Sequence, residues 1–375
     1  MTAISDYREM AIKRLPKQLV DFLDGGAFDE ITIRKNSEDF QKIQLKRSVL
    51  KDVANIDMST EILGQKFNFP LALGPIGFAG VYAKRGEVQA ARAASEAQVP
   101  FSLSTVGICS IEEVAQSSTA PFWFQFYMFK DRHYSLDLLR RAQDAHCPVL
   151  LLTVDLPVAG ARYRYHRTRN SSSFANIFKE MIHLRWWVDV RLRGGPLTVG
   201  NLPDKAPSMS DLSTMRKWMG SQISQSLTWK DFEWVRANWN GKILIKGILD
   251  PEDARMAQKV GADGIVVSNH GGRHIDGTAS TIEVLPKVRD AVVGDLKILI
   301  DGGITSGLDI FKALTLGADA CMIGKPWVYG LAARGEMGVR EILTILQNEL
   351  KIVMTHFGTS SIREINRDLI HSIRN

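Results

Sequence analysis

Apolar positions along the chain gather in short runs rich in β-branched residues, and most of the intervals between them are long enough for a helix. Read as buried strands, the runs predict eight: 69–74 (Phe-Pro-Leu-Ala-Leu-Gly), 100–104, 122–127, 149–154 (Val-Leu-Leu-Leu-Thr-Val), 243–247 (Ile-Leu-Ile-Lys-Gly), 264–268, 297–301 (Lys-Ile-Leu-Ile-Asp) and 320–324. They are continuously apolar rather than alternating, the pattern of strands covered on both faces. Helices are predicted over 86–97 and 251–260. The second opens with Pro251-Glu252-Asp253, a proline in the first turn beside acids that the helix dipole favours. Such an alternation predicts an α/β fold, a closed parallel (β/α)8 TIM barrel. An open doubly wound sheet is the rival, but no Gly-x-Gly-x-x-Gly turn follows the first strand.

The rhythm breaks between the fourth and fifth strands, where residues 156–242 form a long insertion of the kind that serves as a lid or a contact surface. Residues 1–68 read as an N-terminal extension of helices and short strands. A barrel follows over 69–350, then a C-terminal helical segment over 351–375. All 375 residues fit one domain, since α/β barrels use this length.

Composition narrows the class. Hydrophobic residues make up 45% of the chain and charged residues 23%, ordinary values for a soluble globular protein whose core needs no metal or disulfide staple. Cys109, Cys147 and Cys321 have no paired spacing, so they read as buried thiols in a reducing compartment, and no metal site is expected. The N-terminus, Met1 to Glu9, is polar and carries acids, unlike a secretory leader. No run approaches the roughly 18–20 apolar residues of a spanning helix. The net charge of +6 suits an anionic partner, or equally a basic surface without function.

In a barrel of this kind the active site forms at the C-terminal ends of the strands. Polar residues stand there with a regularity that a barrel core does not require: Ser104, Gln125 and Tyr127, Thr153 and Asp155, Lys246, Ser268 through Arg273, Asp301 to Gly303, and Gly324-Lys325. His270 follows a buried strand, and glycines beside it let the backbone approach a ligand closely. Arg273 can grip a carboxylate bidentately while the imidazole takes a proton. Asp155 can orient that imidazole and stabilise its protonated form. Lys246 ends an apolar strand, so its ammonium needs a buried negative partner. A core acid is one such partner, and a reduced flavin ring another. The glycine-bearing loops Asp301-Gly302-Gly303 and Ile323-Gly324-Lys325 end the seventh and eighth strands, where barrels often bind phosphate.

Ser268-Asn269-His270-Gly271-Gly272-Arg273 resembles the active-site signature of the FMN-dependent 2-hydroxy-acid dehydrogenase and oxidase family. The similarity extends through Leu15-Pro16-Lys17, Asp24-Gly25-Gly26-Ala27, Phe124-Gln125-Phe126-Tyr127, Thr153-Val154-Asp155, Lys246-Gly247 and Gly317-Ala318-Asp319-Ala320, nearly the whole chain. Ala161-Arg162-Tyr163-Arg164 and the run 247–255 are similar to the membrane-associated L-lactate dehydrogenases of that family. Tyr329-Gly330-Leu331-Ala332 is similar to its mandelate dehydrogenases.

The resemblance implies FMN as cofactor and oxidation of an L-2-hydroxy acid, L-lactate in the first instance, with a quinone as electron acceptor; a soluble oxidase, or a member with an altered substrate such as mandelate, is the alternative. His270 would abstract the proton, assisted by Asp155, and Tyr127 would hydrogen-bond the hydroxyl or carboxylate. Arg273 and Arg162 would bind the carboxylate. Ser104, Gln125 and Thr153 would hydrogen-bond the flavin ring, with Pro75-Ile76-Gly77 against it. Lys246 would stabilise negative charge at flavin N1, Ser268 and Asp301 belong to the same cofactor set, and Gly303, Gly324 and Lys325 would hold the phosphate. It also implies a homotetramer at the cytoplasmic face of the membrane. The chain departs from the family pattern at three positions. Phe22 stands where a substrate-binding tyrosine is usual, Thr305 where an arginine follows Asp301-Gly302-Gly303-Ile304, and Lys325 where arginine is common. Gly77 accords with the dehydrogenases more than with the oxidases.

The insertion carries a basic aromatic stretch. Residues 162–193 hold Arg162, Arg164, Arg167, Arg169, Lys179, Arg185, Arg191 and Arg193 against Glu180 and Asp189. Interleaved are Phe174, Ile177, Phe178, Ile182, Leu184, Trp186 and Trp187. Such a stretch suits peripheral contact with anionic lipid, and also an amphipathic helix packed on the barrel or at a subunit contact. No nucleic-acid module surrounds it, so no nucleic-acid partner is expected.

Overall fold

A computed structural model describes residues 3–169, 183–202 and 212–374. Eight parallel strands form one sheet: β1 (Leu71–Leu73), β2 (Ser102–Ser104), β3 (Trp123–Phe126), β4 (Val149–Thr153), β5 (Lys242–Ile248), β6 (Gly264–Val267), β7 (Lys297–Ile300) and β8 (Ala320–Ile323). Each pairs with its sequence neighbour from β2 to β8, and β8 pairs with β1 through Cys321 opposite Leu71. A parallel bridge between Leu73 and Phe101 closes the ring, with the Leu73 amide donating to the Pro100 carbonyl at 2.8 Å. The fold is the (β/α)8 barrel that the strand pattern predicts, and each of the eight strands lies on its predicted run.

The strand period of two explains how one barrel supplies both a core and a site. Inward-facing Ala72, Trp123, Val149, Leu151, Leu244, Val266, Leu299, Ala320 and Met322 pack together with Ile62 and Phe67. The last two come from the hairpin of Thr60–Ile62 and Gln65–Phe67, which closes the N-terminal end of the barrel, Phe67 meeting Trp123 at 6.0 Å between ring centroids. The outward parity, such as Phe124, Phe126, Leu150, Leu152, Ile243 and Ile245, belongs to the larger core beneath the helices. Complete burial of each such side chain stabilises by about 1.5–3 kcal/mol. The next inward positions toward the C-terminal ends are Ser104, Gln125, Thr153, Lys246, Ser268 and Asp301. There the inward side chains turn polar, and all of them but Ser268 line a cavity whose wall also includes many apolar residues.

The N-terminal extension contributes helices Ile4–Arg14, Lys17–Asp24 and Ile31–Lys42, then strand Ile43–Leu45. The chain's end departs from the expected helical segment over 351–375. Helix Lys325–Phe357, broken at Arg334 and Gly335, stops at Gly358 in the left-handed region, and two short turns lead to strand Ile370–Ile373. That strand pairs antiparallel with Ile43–Leu45, Ile43 opposite Ile373. The alternating burial of Ile370 to Ile373 is strand-like, which is why the helical expectation fails there.

Within the insertion the structure describes helices Tyr163–Arg169, Leu184–Trp186, Leu212–Gln222 and Trp229–Ala237, with a turn of π-helix at Trp187–Leu192. Lys179, Glu180 and the apolar residues 174, 177, 178 and 182 of the expected lipid contact lie outside the described residues. Trp186, expected at a lipid surface, is instead buried, its indole nitrogen donating to the Val81 carbonyl at 2.8 Å. Asp189 is held by Arg14 at 2.5 Å, so this part of the insertion is tied to the N-terminal helix. Leu184 and Leu192 remain exposed.

Candidate active site

His270 sits in a turn directly after β6 and adopts a left-handed backbone with φ of 55°, continued by Gly271 and Gly272. A bulky residue in that region is uncommon and needs support from its surroundings. The His270 amide donates to the Ser268 hydroxyl at 3.1 Å, and the ring Nδ1 lies 2.8 Å from Asp155 Oδ1. Burial, reinforced by the charge of Lys246, holds the imidazole well below its usual pKa, so it rests neutral. With Asp155 as acceptor, Nδ1 carries the proton and Nε2 is left bare, the arrangement a general base requires. Burial raises the Asp155 carboxyl, opposed by Lys246 and by His274.

Arg273 enters the same cavity from the end of that turn. Its Nη1 donates to the carbonyls of Leu23 at 2.5 Å and Gly25 at 3.4 Å, and its Nη2 to that of Phe22 at 2.7 Å. The first and last are final carbonyls of helix Lys17–Asp24, which have no partner within the helix and favour a cation. The N-terminal extension therefore helps aim the arginine. Phe22 presents only its ring to the cavity. Arg162 and Arg273 lie over it at 5.2 and 5.6 Å from its centroid, and Arg162 Nε donates to the Arg273 carbonyl at 3.2 Å. Tyr127 lines the same wall, and burial together with Asp155 raises its phenol, which stays protonated.

Lys246 is nearly sealed from solvent. Its ammonium lies 2.8 Å from Asp301 Oδ2 and donates to the Ser268 hydroxyl at 2.7 Å, so a core acid does partner it. Burial opposes its charge, but Asp301 and Asp155 outweigh that and hold it protonated. Around it, three buried polar atoms have no hydrogen-bond partner among the described residues: Gln125 Nε2, Thr153 Oγ1 and Asp301 Oδ1. Gln125 Oε1 accepts from the Ser104 hydroxyl at 2.9 Å, and in this orientation Nε2 is the spare donor. Buried polar groups in native proteins are paired. Three spare ones on the wall of a single cavity, beside a buried cation, fit a planar ligand rich in nitrogen and oxygen.

The model of the family described as FMN-dependent dehydrogenase matches residues 11–372. The chain belongs to that family. It is 46% identical to the L-lactate dehydrogenase of Xanthomonas euvesicatoria pv. vesicatoria (strain 85-10) over 376 aligned residues, covering 100% of this chain and 97% of the relative. It is likewise 46% identical to that of Vibrio cholerae serotype O1 (strain M66-2), with 98% of each covered. Among solved structures, the monotopic membrane protein (S)-mandelate dehydrogenase superposes with a TM-score of 0.93 at 35% identity, covering 99% of both chains. The protein is therefore an FMN-dependent 2-hydroxy-acid dehydrogenase.

The FMN-dependent dehydrogenase fold also brings the segment expected against the flavin ring and the expected phosphate loops together. Pro75, Ile76, Gly77, Gly303, Gly324 and Lys325 line the same cavity as His270. Gly303 has φ of 82°, and a Cβ there would lie 1.8 Å from the Asn36 carbonyl, so only glycine fits. Gly324 caps helix Lys325–Phe357, whose free amides favour an anion. Thr305 makes no cationic contribution: its amide and hydroxyl both donate to Asp309. The Lys325 ammonium donates to the Asp24 carbonyl at 3.2 Å. Burial, then Arg273, lowers it to about 7.

Two residues of the site carry no signal in the sequence pattern. Asn36, in the helix Ile31–Lys42, exchanges hydrogen bonds of 2.8 Å with Asn269 in both directions and accepts from the Thr281 amide at 3.3 Å. It buttresses both the His270 turn and Gly303. His274 adjoins the recognised hexapeptide and lines the cavity, its ring centroid 4.0 Å from that of His270.

Proposed function

We propose that this enzyme oxidises a short L-2-hydroxy acid, L-lactate in the first instance, to the 2-oxo acid and delivers the electrons to a quinone at a membrane surface. The observation that carries the reading is His270, with Nδ1 2.8 Å from Asp155 Oδ1, beside the anchored guanidinium of Arg273. Arg273 and Arg162 bind the carboxylate. The 2-hydroxyl then meets His270 Nε2, with the Tyr127 phenol as a further hydrogen bond. His270 takes the hydroxyl proton, and Asp155 stabilises the imidazolium that results. FMN, when bound, would supply the oxidant: with the hydroxyl proton on His270, the C2 hydrogen would leave with its bonding pair to the cofactor. Pro75 to Gly77, Ser104, Gln125, Thr153, Lys246, Ser268 and Asp301 would hold its ring and chain, and Gly303, Gly324 and Lys325 its phosphate.

L-Lactate is favoured by the relatives named L-lactate dehydrogenase, which match over nearly their whole length at 46% identity. A larger substrate such as mandelate is the second reading, supported by the TM-score of 0.93 to (S)-mandelate dehydrogenase. Anaerobic bleaching of the flavin by L-lactate, D-lactate, (S)-mandelate and glycolate separates these. Bleaching by L-lactate at the lowest concentration is expected, and no bleaching by any of them refutes the reading.

The membrane assignment rests on the basic stretch 162–193 and on that monotopic neighbour. No described helix is long and apolar enough to cross a membrane; the contact in this reading is peripheral, at the cytoplasmic face. Exposed Phe28, Ile31, Val158, Tyr163 and Ile275 also lie beside the residues that line the cavity. Co-sedimentation with anionic vesicles, and reoxidation faster by a quinone analogue than by oxygen, test this part. Sedimentation velocity tests the homotetramer.

A further inference from the structure

His274 is a second histidine in the cavity, and nothing in the mechanism above uses it. Its ring stands edge-on to His270 at 73°, with 4.0 Å between centroids. Both of its ring nitrogens are buried, and neither has a hydrogen-bond partner among the described residues. An imidazole always presents at least one N–H donor, and leaving it unmade in the interior is costly. The charged and titratable groups that act on it electrostatically are His270, Arg162, Asp155 and Arg273, the groups assigned above to the carboxylate and hydroxyl of a hydroxy acid. Burial, with His270 and Arg162, keeps the ring neutral. Loop residue Gly160 packs on its backbone: a Cβ there would lie 2.6 Å from His274 Cα, so the two segments approach closely only because residue 160 is glycine.

The carboxylate clamp has room for another donor. Arg273 has five N–H bonds, but Nη1 faces the Leu23 and Gly25 carbonyls and Nη2 gives one hydrogen to Phe22. One edge remains, formed by Nε and the second Nη2 hydrogen. Phe22, within the same wall, offers no polar side-chain atom. A carboxylate taken out of water has about four acceptor positions to satisfy. From the position of His274 among these groups, we propose that its ring N–H donates to the carboxylate of the bound 2-hydroxy acid, making it a substrate-binding residue that completes the clamp begun by Arg273 and Arg162. The inference rests on the reading that the site takes a 2-hydroxy acid.

The test compares the flavin-loaded His274→Phe and His274→Asn variants with the parent enzyme. Flavin content and thermal midpoint establish that each is folded. The readouts are KM and kcat for L-lactate and glycolate, and the Kd of oxalate from its perturbation of the flavin spectrum. Loss of a hydrogen bond to a charged group predicts that H274F raises KM for both acids, and the oxalate Kd, by about 10–100-fold. kcat at saturation should stay within about threefold, and H274N, which keeps a donor, should recover most of the oxalate affinity. The proposal is overturned if H274F leaves the oxalate Kd within twofold of the parent, if kcat falls while KM and Kd hold, or if H274N binds oxalate as weakly as H274F. Failure of the parent enzyme to turn over either acid would count against the substrate reading alone. The oxalate titration reads the His274 contact without turnover.

Discussion

Replacing Lys246 with methionine separates the stability of the site from its chemistry. Methionine keeps the apolar stem and removes the ammonium that lies 2.8 Å from Asp301 Oδ2 and 2.7 Å from the Ser268 hydroxyl. Asp301 Oδ1 already has no partner among the described residues, so the variant strands the whole carboxylate. Removing one partner of a buried pair costs about 3–5 kcal/mol. The Asp301 side chain keeps 16% exposure, which argues for the low end, about 3 kcal/mol. With an unfolding entropy of about 2.1 cal/mol/K per residue, a chain of this length loses about 4 °C of Tm for that cost. The measurement belongs on flavin-free protein, because bound FMN would raise the Tm of each variant by its own affinity. Adding Asp301→Asn replaces the stranded charge with an amide and should bring Tm back to within about 2 °C of the parent. It should not restore substrate-driven flavin reduction if Lys246 also serves the cofactor. A K246M Tm within about 1 °C of the parent, or a double variant no more stable than the single one, would refute the claim that losing Lys246 leaves Asp301 as an uncompensated buried charge.

His270→Gln should leave FMN content intact and slow anaerobic flavin reduction by L-lactate by at least about 10²–10⁴-fold, the range for loss of a general base. An unchanged rate in stopped flow would remove His270 from the chemistry. The acid limb of kcat/KM should fall below the ordinary histidine value of 6.5, because burial and Lys246 both disfavour the imidazolium. Activity is then retained as pH drops through 6.5 and lost lower, and K246M should move that limb upward; a limb above 6.5 in the parent contradicts the burial argument. Lys325→Met should weaken FMN binding yet stabilise the apoprotein. A lysine lowered from 10.5 to about 7 disfavours the folded state most fully below pH 7, on the order of a few kcal/mol, and less as pH rises toward 10.5. Urea unfolding at pH 6 and pH 9 checks this, and a K325M apoprotein less stable than its parent at pH 6 would contradict it.

What could be read from the sequence follows from which interactions are local. The barrel strands are legible because each is a short apolar run, and the polar inward position at its end stands out against that run. Gln125 after Trp123, Thr153 after Leu151 and Lys246 after Leu244 follow one parity, so placing the strand places the site residue. Interactions between distant segments leave no such mark. Asn36 is one polar residue in a polar helix, and its reciprocal bonds with Asn269 join positions 233 apart. The strand Ile370–Ile373 finds its partner at Ile43–Leu45, at the other end of the chain, and without that partner its isoleucines read as more helix. Trp186 in a basic stretch reads as a lipid contact until the Val81 carbonyl, on a different loop, is seen to accept from it.

The same distinction bears on how the substrate is held. Arg273 is visible in the sequence as a carboxylate clamp, and a free guanidinium could grip both oxygens unaided. In the fold, the C-terminal carbonyls of helix Lys17–Asp24 take part of its donor set, at 2.5 Å from Leu23 and 2.7 Å from Phe22. Those bonds orient the arginine, and each hydrogen they take is withdrawn from the substrate. An arginine so anchored binds in one geometry and supplies fewer contacts, and the remaining lone pairs of a buried carboxylate must be met from elsewhere in the wall. Because Phe22 has no hydroxyl to give, the shortfall falls on Arg162 and His274. Substrate affinity in this enzyme should therefore depend on residues 162 and 274 together, and a double substitution there should cost more than Arg162→Met alone by the same factor that separates H274F from its parent, provided the two donors act independently.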